Sequence, residues 1–258
     1  MRRPWAAALA LALSASASAF AGEIPRAERR SGYDFMSRET RAMQDDDTAN
    51  PGMLWVLEGE AAWKQKPPAG RACADCHGDA RQSMKGVAAR YPSFDPGHKR
   101  PLSLEQRING CRVGRQQASS LPHESRELLA LTAYVARQSR GLSIEIAVDE
   151  RVRPFLERGR ATWERRQGQL NLACSQCHDD LWGKQLAGNV IPQAHPNGYP
   201  LYRLEWQGLG SLERRLRNCL VGIRAEPYAY GAPEMVELTL FLMRRARGMT
   251  MEAPAVRP

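Results

Sequence analysis

Six cysteines stand in the 258-residue chain, and four of them fall in two copies of one pattern, Cys73-Ala-Asp-Cys76-His77 and Cys174-Ser-Gln-Cys177-His178. Cys-x-x-Cys-His is the attachment signature of c-type haem. The two thiols form thioethers to the haem vinyl groups, and the adjacent histidine becomes an iron ligand. A redox dithiol or half of a zinc site also uses Cys-x-x-Cys. Two copies, each with its trailing histidine, favour two covalently bound haems. Cys73, Cys76, Cys174 and Cys177 are then the attachment points, and His77 and His178 the proximal ligands.

The ligand on the other face of each iron sets its chemistry. Methionine is the usual choice for electron transfer, but Met84 follows its signature too closely, and Met235 and Met243 occur only in the second copy. Cys111 and Cys219, the two remaining cysteines, sit at the same place in their copies, each followed by x-Val-Gly. Axial thiolate ligation by Cys111 and Cys219 is the favoured reading. A disulfide between them is the bland alternative, and it requires Cα atoms about 5.5 Å apart. His98, His123 and His195 are rival ligands; most histidines in such loops are merely solvated.

These residues need elements to hold them, and the chain supplies each element twice. Gly59-Glu-Ala-Ala-Trp63 and Gly159-Arg-Ala-Thr-Trp163 precede the two signatures. Ser103-Leu-Glu-Gln-Arg107 and Ser211-Leu-Glu-Arg-Arg215 follow them, leading to Cys111 and Cys219. Leu131 to Arg137 and Leu238 to Arg244 close the copies with apolar residues at helical spacing. The expected fold is mainly α-helical: two tandem cytochrome c-like domains, each with its own small core. Residues 52–141 form the first domain, 142–154 a linker and 155–258 the second. Ile144 to Val148 reads as one short strand, and residues 22–51 as an extended N-terminal arm with little periodicity.

Residues 1–21 combine a cationic start, an apolar Ala-rich run and Ala19-Phe20-Ala21, the form of a secretory signal peptide. The apolar run is too short to span a bilayer, and no membrane span is expected elsewhere. The chain is basic, with 37 Lys and Arg against 28 Asp and Glu. Those cations are spread rather than gathered beside aromatics, which disfavours nucleic acid and leaves small anions or an acidic protein as partners.

Two haem signatures, each followed by one lone cysteine, make the chain similar to the SoxA family, the dihaem cytochrome subunits of periplasmic thiosulfate oxidation. The resemblance covers nearly all of the chain beyond residue 21. It implies His/Cys ligation of both haems, a persulfide on Cys219 as the working group, and Arg215 and Arg244 as arginines associated with that site. It also implies periplasmic L-cysteine S-thiosulfotransferase activity, in which thiosulfate is joined oxidatively to a cysteine thiol of a SoxY-type carrier. Electrons would then leave to a SoxX-type monohaem cytochrome in a heterodimer. Arg107 and Arg137 hold the equivalent positions in the first copy, so haem propionates or helix packing are the bland roles for these arginines. A thiosulfate dehydrogenase forming tetrathionate and a non-catalytic dihaem electron carrier remain as alternatives.

Overall fold

The computed structural model describes residues 24–68 and 70–258. The signal-peptide assignment to residues 1–21 lies outside the described residues. The described residues form ten α-helices, one before the repeat, five in its first copy and four in its second. In the first copy, α2 (Met53–Lys64), α3 (Cys73–His77), α4 (Ala80–Ser83), α5 (Leu104–Gly114) and α6 (Arg126–Arg137) follow α1 (Arg38–Asp45). The second contains α7 (Arg153–Glu164), α8 (Cys174–His178), α9 (Leu212–Gly222) and α10 (Pro233–Arg245).

The repeat motifs acquire physical reasons. Helix α2 lies along α6, and α7 along α10. A Cβ on Gly59 would stand 2.1 Å from the Ala130 carbonyl oxygen, and one on Gly159 would stand 2.1 Å from that of Glu237. Glycine is therefore needed at each helix crossing. Trp63 and Trp163, one turn later on the same face, are buried beneath the haem signatures. Ser103 and Ser211 cap α5 and α9, accepting hydrogen bonds from the backbone N–H groups of Gln106 and Arg214.

The long loop between each signature and its cysteine-bearing helix contains an antiparallel hairpin. β1 (Ser93–Asp95) pairs with β2 (Arg100–Leu102), and in the second copy β5 (Leu201–Arg203) pairs with β6 (Gly208–Gly210). A small hairpin of β3 (Gln185–Leu186) and β4 (Asn189–Val190) belongs to the second copy. The C-terminal strand β7 (Ala255–Arg257) adds to β5 in parallel.

Two expectations change. Of the expected arm at 22–51, the described residues 24–51 are not simply extended: Ser37 caps α1, which packs on β7, and two short 3-10 turns precede it. Ile144 to Val148 makes no strand. Its backbone partners alternate between segments, Ile144 N–H donating to Met249 and Glu145 N–H to Ala89, so no single neighbouring strand can form a ladder. Ile144 and Ile146 are buried, and one apolar cluster runs from Val56, Leu129 and Tyr134 through them to Leu209, Leu240 and Met243. The cores of the two copies are thus fused through the linker. A smaller cluster of Trp163, Leu238, Phe241 and Leu242 lies under the second signature.

Candidate haem and thiolate site

Each Cys-x-x-Cys-His segment forms one short helix, which turns both cysteines and the histidine toward a common space. In the first copy that space is an open cavity lined by Cys73, Cys76, His77 and Cys111. Its walls include Met84, Val87, Leu104, Leu131 and Val135. Two neighbouring thiols and an imidazole, sharing apolar walls with a third thiol, are a donor set and surroundings that suit haem c. Cys73 is raised in pKa mainly by burial, although Gln116 donates a hydrogen bond to its sulfur at 3.3 Å.

The second copy repeats the set with a more enclosed imidazole. Burial pushes the His178 ring down to about 4, so it is neutral near pH 7. Its Nδ1 stands 2.6 Å from the Pro192 carbonyl oxygen. A carbonyl only accepts, so Nδ1 carries the proton and Nε2 keeps a free lone pair, the state that iron ligation needs. Trp163 lies against the ring at 5.6 Å between centroids, as Trp63 does against His77 at 5.7 Å. Trp163 Nε1 also donates to Asp179 at 2.7 Å, and Asp179 is ion-paired with Arg245. Burial raises the Cys174 thiol to about 12, with the neighbouring Cys219 adding to the shift. Both cysteines of the second signature are within electrostatic reach of Cys219.

All six cysteines are free thiols, so Cys111 and Cys219 are not joined to each other. The rival histidines have partners of their own. His98 contacts Asp95 at 2.8 Å, His123 stacks on Tyr230, and buried His195 donates from Nδ1 to the Arg30 carbonyl at 2.9 Å. Among the described residues, no group of three or more His, Cys, Asp or Glu side chains is arranged to hold a metal ion by itself.

The two arginines expected beside Cys219 differ in their surroundings. Arg215 lies one turn before Cys219 on α9, and its charge acts on His178, on Tyr199 and on Arg203. Arg244 instead lines one groove with Phe241 and Arg245 and another with Arg26, Arg29 and Arg247. The first copy gives the reason: its counterpart Arg137 reaches Asp47 at 2.7 Å, so this position of the closing helix faces the N-terminal segment. Sequence reasoning missed Tyr199 and Arg203, which share the electrostatic surroundings of Arg215 and Cys219. The signal was available in the repeat, because Tyr91 and Asp95 stand at the corresponding places in the first copy.

Comparison with known proteins agrees with this geometry. The family model described as SoxA/TsdA, cytochrome c domain, matches twice, over residues 58–144 and 158–251. The L-cysteine S-thiosulfotransferase subunit SoxA of Pseudaminobacter salicylatoxidans is 38% identical over 235 residues, covering 90% of this chain and 82% of the relative. That of Rhodovulum sulfidophilum is 36% identical over 231 residues, covering 89% and 80%. The crystal structure of SoxXA from P. pantotrophus superposes with a TM-score of 0.86 at 29% identity, over 89% of this chain and 87% of that one. The duplicated signatures, their trailing cysteines and these matches place the chain in the SoxA/TsdA cytochrome c family.

Proposed function

We propose that the chain is the dihaem subunit of an L-cysteine S-thiosulfotransferase, folded as two tandem cytochrome c-like domains and working in the periplasm with a SoxX-type monohaem cytochrome. Its substrates are thiosulfate and a cysteine thiol on a SoxY-type carrier. Cys73 and Cys76 hold one haem and Cys174 and Cys177 the other, with His77 and Cys111, and His178 and Cys219, as the iron ligands. The observation that carries this reading is the meeting of Arg215 and Cys219 on one face of α9 next to the second attachment cysteines.

In the overall reaction the outer sulfur of thiosulfate bonds to the carrier's thiol sulfur. The thiol loses its proton, and two electrons are released. Bound haem supplies their acceptor. The remaining tasks fall to the chain itself. Arg215 presents a guanidinium that binds a sulfur oxyanion through paired donors. An extra sulfur on Cys219, a persulfide, extends its reach toward substrate. Tyr199 stays protonated, because burial pushes its phenol up to about 12, and so it remains a hydrogen-bond donor.

Assaying thiosulfate-dependent reduction of the holoprotein with and without a carrier thiol tests the proposal. Reduction that requires the carrier is expected. Carrier-independent formation of tetrathionate indicates a thiosulfate dehydrogenase, and no reaction with thiosulfate indicates an electron carrier.

A further inference from the structure

The two copies place the same three positions around their cysteine-bearing helices, but with one charge reversed. In the first copy these are Tyr91, Asp95 and Arg107; in the second, Tyr199, Arg203 and Arg215. The match is structural as well as sequential. Asp95 ends β1 opposite Arg100, and Arg203 ends β5 opposite Gly208, each on the hairpin that leads into the capped cysteine helix.

In the first copy the arrangement closes on itself. The Asp95 side chain, only 12% exposed, ion-pairs with Arg107 and accepts from the His98 backbone N–H at 2.8 Å. Arg107 is thereby paired with a largely buried carboxylate. In the second copy no carboxylate stands there. Arg203 places a second guanidinium, 16% exposed, within the field of Arg215, and its buried Nε has no hydrogen-bond partner among the described residues. One terminal nitrogen reaches Glu205 at 2.9 Å, but that carboxylate is 62% exposed and the pair is screened by water. The guanidinium plane lies over Trp206, 5.2 Å from the ring centroid, which fixes its direction. Two partly buried like charges and an orphaned donor are unfavourable unless an anion joins them.

We infer that Arg203 and Arg215 together form an oxyanion subsite beside Cys219, suited to the sulfonate end of thiosulfate, and that exchange of Asp95 for Arg203 between the copies confines this subsite to the second half. Identification of the anion as thiosulfate rests on the function proposed above. Arg203 binds the substrate through its donors. A haem propionate is the other carboxylate or oxyanion source that such a pair of guanidiniums could take, and the two sources separate experimentally.

The experiment is equilibrium titration of thiosulfate into the two-haem holoprotein carrying Cys219→Ala, so that binding is read without turnover. Adding Arg203→Asp, which recreates the charge pattern of the first copy, is expected to weaken binding by roughly ten- to a hundredfold, the worth of a charged hydrogen bond. Arg203→Gln is expected to weaken it in the same direction, and guards against misfolding of the charge-reversed variant. Haem content and the potential of the second haem should stay unchanged. Unchanged affinity in both variants overturns the subsite, and so does unchanged affinity with a shifted potential, which assigns Arg203 to a propionate. If thiosulfate binds through Arg203 but intact protein never transfers it to a carrier thiol, the subsite stands and the proposed activity fails.

Discussion

Cys111 and Cys219 occupy corresponding positions on α5 and α9, each one turn beyond an arginine, yet the fields around them differ. Arg107 is committed to Asp95, whereas Arg215 shares its surroundings with Arg203. Replacing Arg215 by Ala should therefore lower carrier-dependent turnover by roughly ten- to a hundredfold while both haems stay attached, because a charge-assisted contact to substrate is lost. Arg244→Ala should have a smaller effect, since that side chain lines other grooves. Steady-state kinetics on the two variants, normalised to haem absorbance, check the order. An Arg244→Ala loss as large as that of Arg215→Ala contradicts it. The two Cys-x-x-Cys-His segments, each folded as one short helix, were legible in the sequence because the motif is local. The surroundings of Arg215 were not, since only the folding of the preceding β5–β6 hairpin sets Tyr199 and Arg203 within its electrostatic reach.

At the scale of elements, the helix crossings and the N-terminal segment carry separate predictions. Gly159→Ala forces a methyl group against the Glu237 carbonyl and should destabilise the fold by about 1–3 kcal/mol, as overpacking does, read as a lowered denaturation midpoint. Wild-type stability after that substitution contradicts the close crossing. His195 ties the second copy to the N-terminal segment through the Arg30 carbonyl, and burial lowers its pKa from 6.5 to about 4. The neutral ring is the one that fits, so its stabilisation is present in full above about pH 6.5 and is lost as pH falls toward 4. His195→Gln should flatten that part of the stability–pH curve; an unaltered slope contradicts the linkage. Repeated motifs made the paired helices readable, because helix caps and crossing glycines act locally. Helix α1 escaped because it is short and owes its place to β7, over two hundred residues away in sequence, and the strand expected at Ile144 to Val148 failed because apolar residues there fill the joint core instead of a sheet.

For the whole molecule, duplication explains the fused core and the two haem signatures, while the departures between copies assign their work. Denaturing mass spectrometry of the mature chain should give the polypeptide plus two haem masses; one haem means that a signature is unused. Thiolate donation stabilises ferric iron, so electron paramagnetic resonance of the oxidised protein should give low-spin His/thiolate signals from both centres. Signals unchanged in Cys111→Met and Cys219→Met variants contradict that ligation. The most direct test of the central claim is carrier-thiol-dependent thiosulfate oxidation by Cys219→Ala beside Cys111→Ala, each verified to retain both haems. The account predicts that Cys219→Ala abolishes turnover, while Cys111→Ala keeps it and mainly alters the spectrum and potential of the first haem. Normal turnover by Cys219→Ala, or its loss in Cys111→Ala alone, would contradict the assignment of catalysis to the second copy.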